Sequence, residues 1–188
     1  RGVVGSELTT PTVKKIGQAI GTMALSQMQK TICVGYDGRV SSPSLSINLI
    51  DGLLSTGINV IDIGLCTTPM LYFSNFQQET GTGVMITGSH NPPEYNGFKM
   101  VINEKTLASD DIQNLYQIIL DSSYLNGEGD KKSLSVKSQY LDEISNSVKL
   151  RRTMKVAIDC GNGAAGVCAE ELFKKLGVET EPLFCDID

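Results

Sequence analysis

Residues 83–102 read Gly83-Val84-Met85-Ile86-Thr87-Gly88-Ser89-His90-Asn91-Pro92-Pro93-Glu94-Tyr95-Asn96-Gly97-Phe98-Lys99-Met100-Val101-Ile102. Two apolar runs, each the length of a strand, flank a polar loop rich in turn formers. That arrangement holds the hydroxyl of Ser89 at the edge of a sheet. The single histidine of the chain, His90, stands next to it, followed by the amide Asn91. Gly, Asn and Pro would serve a plain turn equally well. Ordinary two-strand connections are short, however, and this one is long and carries Ser, His, Asn, Glu and Tyr together. α/β proteins handle small molecules at such loops.

Working outward, apolar and polar runs alternate along the chain. Thr10-Pro11 predicts a helix start with a capping hydroxyl and proline in the first turn, and Val13, Ile16, Ala19, Ile20, Met23 and Ala24 keep helical spacing. Residues 31–36 form a β-rich run ending in Gly35-Tyr36-Asp37-Gly38-Arg39. Ser42-Pro43 and Thr68-Pro69 open two more helices on either side of a strand over 58–63. Ser109-Asp110-Asp111 opens a fourth helix with Ile112, Leu115, Ile118 and Ile119. The polar, glycine-bearing stretch 121–135 reads as a domain boundary. Beyond it come a helix with Leu141, Ile144 and Val148, a buried strand over 155–159, a helix over 164–176 and a strand over 178–184. This order predicts an α/β fold, with a mostly parallel sheet covered by helices on both faces. Residues 1–134 form the first domain, and residues 135–188 hold one βαβ unit of a second.

Composition narrows the function classes. The chain has 188 residues, 40% of them apolar, and a net charge of −5 with acids and bases interspersed. No basic stripe points to nucleic acid. No apolar run reaches the roughly 18–20 residues that span a bilayer, and no signal-peptide pattern is present. The five cysteines, Cys33, Cys66, Cys160, Cys168 and Cys185, form no Cys-x-x-Cys and read as buried thiols of a cytoplasmic protein.

Two chemistries compete for the motifs. Gly161-Asn162-Gly163-Ala164-Ala165-Gly166 spells Gly-x-Gly-x-x-Gly between a strand and a helix, with Asp186 near the end of the next strand. Formally this is a dinucleotide-binding fingerprint and allows an oxidoreductase module. Its late position, and glycines that let a strand turn tightly into a helix, count against it. Ser89 with His90 allows a serine hydrolase, but the Gly-x-Ser-x-Gly elbow and an acid spaced for a triad are missing.

The longer match decides between them. Thr87 through Lys99 resembles the phosphoserine loop of the α-D-phosphohexomutases, in the wording of the bacterial phosphomannomutase/phosphoglucomutase branch. Arg1-Gly2-Val3-Val4-Gly5 resembles the end of that family's Asp-Ile-Arg-Gly segment. Gly35 through Ser41 resembles its Gly-Arg-Asp-x-Arg-x-Ser strand and loop, with Tyr36 where the family usually has arginine. Asp159 through Gly166 resembles the opening of its second domain.

The resemblance implies an isomerase that interconverts hexose 6-phosphate and hexose 1-phosphate, of mannose or glucose. A phosphoserine at Ser89 and a hexose 1,6-bisphosphate intermediate carry the group. It implies Mg²⁺ bound through the Ser89 phosphate, with the remaining aspartate ligands beyond Asp188, so that residues 1–188 alone are expected to be inactive. Lys99 then neutralises the transferring phosphate or helps move the hydroxyl proton. His90 orients the loop or shuttles a proton. Arg1 clamps phosphate, and Asn91 supports the loop. Asp37 and Arg39 read as a structural ion pair outside the site.

Overall fold

The computed structural model describes residues 1–188. Its centre is a six-stranded sheet in the order β7-β6-β4-β2-β3-β8. In chain order the elements of this first unit are β1 (Gly2–Val3), α1 (Thr10–Ser26), β2 (Thr31–Tyr36), α2 (Ser42–Leu54), β3 (Asn59–Leu65), α3 (Thr68–Gln77), β4 (Gly83–Ile86), β5 (Tyr95–Asn96), β6 (Phe98–Ile102), β7 (Lys105–Thr106), α4 (Asp110–Leu120) and β8 (Lys131–Ser133). Strands β2, β3, β4 and β8 run parallel, while β6 pairs antiparallel with β4 and with β7. The sheet is thus mixed and mostly parallel, as the alternation predicts.

Side chains alternate across the strands, and the two faces feed two cores. Ile32 and Val34 of β2, Val60 of β3 and Val84 and Ile86 of β4 pack with α1, α2 and Leu115 of α4. Cys33, Ile61, Ile63 and Met85 point the other way, onto Met70 and Leu71 of α3 and onto Val136. Helices on both faces give the three α/β/α layers. α1 and α2 come close enough that a Cβ on Gly17 would run into the carbonyl oxygen of Leu49, and one on Gly52 into that of Lys14.

Residues 137–183 continue with α5 (Lys137–Ser147), β9 (Lys155–Asp159), a 3₁₀ turn (Ala164–Val167), α6 (Ala169–Lys175) and β10 (Glu179–Leu183). β9 and β10 form a separate parallel pair. The α5 helix bridges the two regions, with Tyr140 edge-on to Phe73 of α3 at 5.4 Å between ring centres.

Several local expectations change. The first helix is capped by Thr9, whose Oγ1 accepts from Thr12 N at 3.4 Å; Thr10 is already helical. The stretch 164–176 is two pieces, because the chain turns at Cys168 (φ −137°) and restarts at Ala169. β9 is not a buried strand: Ile158 is its one buried residue. One helix, α6, packs on this pair, whereas helices cover both faces of the large sheet. Cys33 and Cys66 are buried, but Cys160, Cys168 and Cys185 are half-buried, and all five are free thiols. Burial pushes Cys66 up to about 12 and Cys160 up to about 11, and it also raises Cys33 and Cys168. These shifts favour the neutral thiol at all four positions. The boundary stretch also contributes β8, three exposed residues that complete the large sheet.

Candidate active site

Ser89 sits just past the C-terminal end of β4, the edge at which open α/β sheets bind ligands. The strand ends at Ile86, and the Thr87 N–H donates to Gly97 O at 2.9 Å, holding the two arms of the loop together. Ser89 has φ 54°, in the left-handed region, and is exposed. Its N–H donates to Thr87 Oγ1 at 2.9 Å. A non-glycine residue held in this conformation is strained, and surrounding contacts must impose it.

Those contacts are present. Asn91 Nδ2 donates to Gly88 O at 2.7 Å, within the loop. The Gly88 N–H donates to Asp37 Oδ2 at 3.2 Å, and the other Asp37 oxygen accepts from Ser42 Oγ at 2.6 Å. The loop also contains β5, which pairs antiparallel with β1 in the register Gly2↔Asn96. That pairing brings Arg1 to the base of the loop, its Cα 3.2 Å from where a Cβ on Gly97 would lie.

The remaining expected residues sit less close together. His90 Nδ1 is 3.4 Å from Ser89 Oγ, a long contact, and no carboxylate hydrogen-bonds the ring from behind. A serine-hydrolase triad therefore has no orienting acid. Lys99 lies on β6 opposite Met85 and is exposed. Neither Lys99 nor Arg1 hydrogen-bonds Ser89.

In front of the loop lies a cleft of about 820 Å³. Ser89, Asn91, Asp37, Arg39, Ser41, Thr67 and Thr68 line one side, and Gly161, Asn162, Gly163 and Ala164 line the other. His90, Lys99 and Arg1 are not among its lining residues. The glycine motif thus faces the same cleft as Ser89, but as a turn. Asn162 Nδ2 donates to Asp186 O at 2.7 Å, and Gly166 lets the chain pass against the Cys185 carbonyl. It leads into a 3₁₀ turn followed by a seven-residue helix, so no long helix N-terminus faces a pyrophosphate. The dinucleotide reading is set aside.

The profile of the family described as phosphoglucomutase/phosphomannomutase, alpha/beta/alpha domain I, matches residues 1–125. The chain belongs to this family. It is 43% identical over 188 residues to a phosphomannomutase/phosphoglucomutase of Pseudomonas aeruginosa, covering 100% of this chain and 41% of that protein. It is also 43% identical over 190 residues to a phosphoglucomutase of Neisseria meningitidis, again covering 41% of that protein. Among solved structures, a phosphoglucomutase/phosphomannomutase family protein of Burkholderia thailandensis superposes with a TM-score of 0.95 at 39% identity, over 100% of this chain and 43% of that one. The chain therefore spans about two fifths of the length of the curated relatives it matches.

The fit of residues 1–188 to Mg²⁺ rests on their donor set. No three His, Cys, Asp or Glu side chains gather in the chain. Asp37, the carboxylate that hydrogen-bonds the backbone of the serine loop, has one oxygen on Ser42 and the other on the Gly88 N–H. These residues do not make a Mg²⁺ site by themselves.

One residue of the site escapes the sequence reading. Arg39 forms the expected ion pair with Asp37, Nε to Oδ2 at 3.7 Å. It also reaches across about fifty positions to the carbonyls of the serine loop. No local pattern announces so distant a contact.

Proposed function

We propose that this chain is the phosphoryl-carrying part of a phosphohexomutase, an isomerase that interconverts hexose 6-phosphate and hexose 1-phosphate of mannose or glucose. Ser89 is the phosphoryl carrier. The observation that carries this reading is an exposed serine hydroxyl, held at φ 54° beside a cleft large enough for a sugar phosphate. Names of relatives at 43% identity support the same reaction class.

In this reading a phosphoserine at Ser89 donates its phosphoryl group to a free hydroxyl of the hexose phosphate. The sugar hydroxyl gives up its proton as the P–O bond to serine breaks, and the freed Ser89 oxygen takes up a proton to become a hydroxyl again. The resulting hexose 1,6-bisphosphate turns over, and the Ser89 hydroxyl takes back the other phosphoryl group. A covalent relay keeps the group from water, and positioning with charge neutralisation supplies most of the rate. Lys99 and Arg1 are the cations assigned to phosphate. His90 is assigned to orienting the loop or moving a proton, and Asn91 to holding it. Mg²⁺ would neutralise charge on the Ser89 phosphate, with carboxylates that residues 1–188 do not bring there. On the same reading residues 1–134 are domain 1 and residues 135–188 the opening of domain 2. The setting is cytoplasmic, the partner is a small sugar phosphate, and neither nucleic acid nor membrane is involved. No helix is long and apolar enough to cross a membrane.

The test uses the full-length protein and hexose 1,6-bisphosphate carrying ³²P. The expected label lies on the tryptic peptide containing Ser89, and Ser89→Ala should take up none. A Ser89→Ala protein that still becomes labelled would move the acceptor elsewhere and sink the reading. Residues 1–188 expressed alone should show no turnover, and robust mutase activity from them would overturn the assignment of metal carboxylates to another part of the protein.

A further inference from the structure

Arg39 plays no part in the chemistry above, yet its guanidinium is threaded through the serine loop. Nη1 donates to Pro92 O at 2.7 Å and to Tyr95 O at 3.0 Å. Nη2 donates to Asn91 O at 2.6 Å and to Ser89 O at 3.2 Å. Nε faces Asp37, which in turn holds the Gly88 N–H. The arginine side chain is 18% exposed and the aspartate side chain 14%. The four Nη hydrogens each have a carbonyl, so neither terminal nitrogen of the fork has a donor left for a ligand phosphate, and Nε faces the Asp37 carboxylate.

The loop has adapted to this cation. A Cβ on Gly88 would run into Nε and Cζ of Arg39, so only glycine lets the guanidinium lie against the backbone there. Four carbonyls of a polar loop, which water would otherwise solvate, converge instead on one planar fork. Lysine, a single rotatable ammonium, cannot copy that geometry. The residue whose carbonyl closes the set is Ser89, the one held at φ 54°.

We propose that Arg39 is a positioning residue that fixes the backbone under Ser89 and aims its hydroxyl into the cleft. The inference rests on Ser89 as the phosphoryl carrier. Arg39 acts through the loop backbone and touches no reacting atom.

The experiment compares full-length wild type with Arg39→Ala, Arg39→Lys and Gly88→Ala. Turnover of hexose 1-phosphate and hydrogen exchange of the 88–97 peptide are both measured. In Arg39→Ala kcat should fall roughly 100-fold, the loss expected when a reacting group is misplaced by an ångström or so. KM should stay within about threefold, since no binding interaction common to ground and transition state is removed. Amides of 88–97 should exchange at least about tenfold faster, while those of β2 keep their protection. Arg39→Lys should show the same split despite its retained charge, and it decides the matter if Arg39→Ala does not fold. Gly88→Ala should push the guanidinium away and reproduce the loss from the loop side.

A kcat within about twofold of wild type overturns the proposal. So does a raised KM with unchanged kcat, which would make Arg39 a substrate ligand, and so does unaltered exchange in 88–97. If wild type itself takes no phosphoryl group on Ser89, the phosphoserine reading has failed, and the exchange comparison still decides the clamp.

Discussion

Strands β4 and β9 both run into glycine-containing loops that face one cleft, and they are held by different means. All four residues of β4 are buried, with Val84 and Ile86 in one core and Met85 in the other. In β9 only Ile158 is buried, and no residue of its partner β10 is. The loop after β4 is further tied by Asp37, Arg39 and Asn91. The loop after β9 is tied to the segment that follows β10 through Asn162 and to itself through the Gly161 N–H on Asp159. On the proposed function, a Ser89 that transfers phosphate in line needs the first kind of support, because small displacements are costly there. A wall of glycine backbone that a ligand merely lies against does not. The difference in burial therefore separates the side of the cleft that carries Ser89 from the side that faces it.

The largest expected effect falls on the β4 side. Ile86→Ala removes a fully buried side chain three residues before Ser89 and should destabilise by about 2–5 kcal/mol. Urea denaturation of the full-length protein, with exchange of the β4 peptide as the local probe, measures it. Gly17→Ala comes next. The added methyl meets the Leu49 carbonyl where α1 and α2 touch, and backbone cannot yield there. Forced separation of the two helices that cover this face should cost about 1–3 kcal/mol, seen as a lower urea midpoint. Ile158→Ala should cost only about 1 kcal/mol, because the sparse packing around β9 can close over the gap. Equal losses for Ile86→Ala and Ile158→Ala would break the comparison.

The same contrast explains what is legible in the sequence. Strands covered on both faces are near-continuous apolar runs, so β2, β3 and β4 stand out, and the Ser/Thr-Pro steps announce α1, α2 and α3. Where packing is thin the sequence carries little signal. β8 is Lys131-Lys132-Ser133, wholly exposed, and is held to the sheet by backbone pairing with β3 and by the ion pair from Lys131 Nζ to Asp62 Oδ2 at 2.8 Å, with no apolar packing to mark it. β1 and β5 are two residues each and show no period. The turn at Cys168 interrupts a helical pattern that continues on either side of it. At the site, Ser89 and Asn91 are legible because the motif is local, and both line the cleft. Arg39 reads as an ion-pair residue because its carbonyl partners lie fifty to fifty-six positions away.

The smallest expected effect sharpens the contrast through electrostatics. α5 and α6 are joined by two exposed ion pairs, Lys175 Nζ to Asp142 Oδ1 at 2.8 Å and Lys137 Nζ to Glu171 Oε2 at 2.8 Å. The hydrogen bond from Lys175 holds the Asp142 carboxyl below its ordinary value, and that from Lys137 does the same for Glu171. A carboxyl lowered in the folded state contributes stability that is present above its unfolded value. That contribution is lost as pH falls through the folded one. Lys175 is raised by the Asp142 carboxylate, so its contribution is present below its ordinary value and is lost as pH rises through the raised one. The link between α5 and α6 should therefore be intact across neutral pH and loosen below about pH 4, where carboxylates protonate. It should also weaken in molar salt, which screens exposed charges but leaves apolar burial untouched. Protection factors of the α6 amides, corrected for intrinsic exchange, should fall under both conditions while those of β4 hold. Asp142→Asn should flatten the acid response of α6. An α6 helix whose protection ignores acid, salt and Asp142→Asn alike would mean that apolar contact, not charge, holds this side of the cleft.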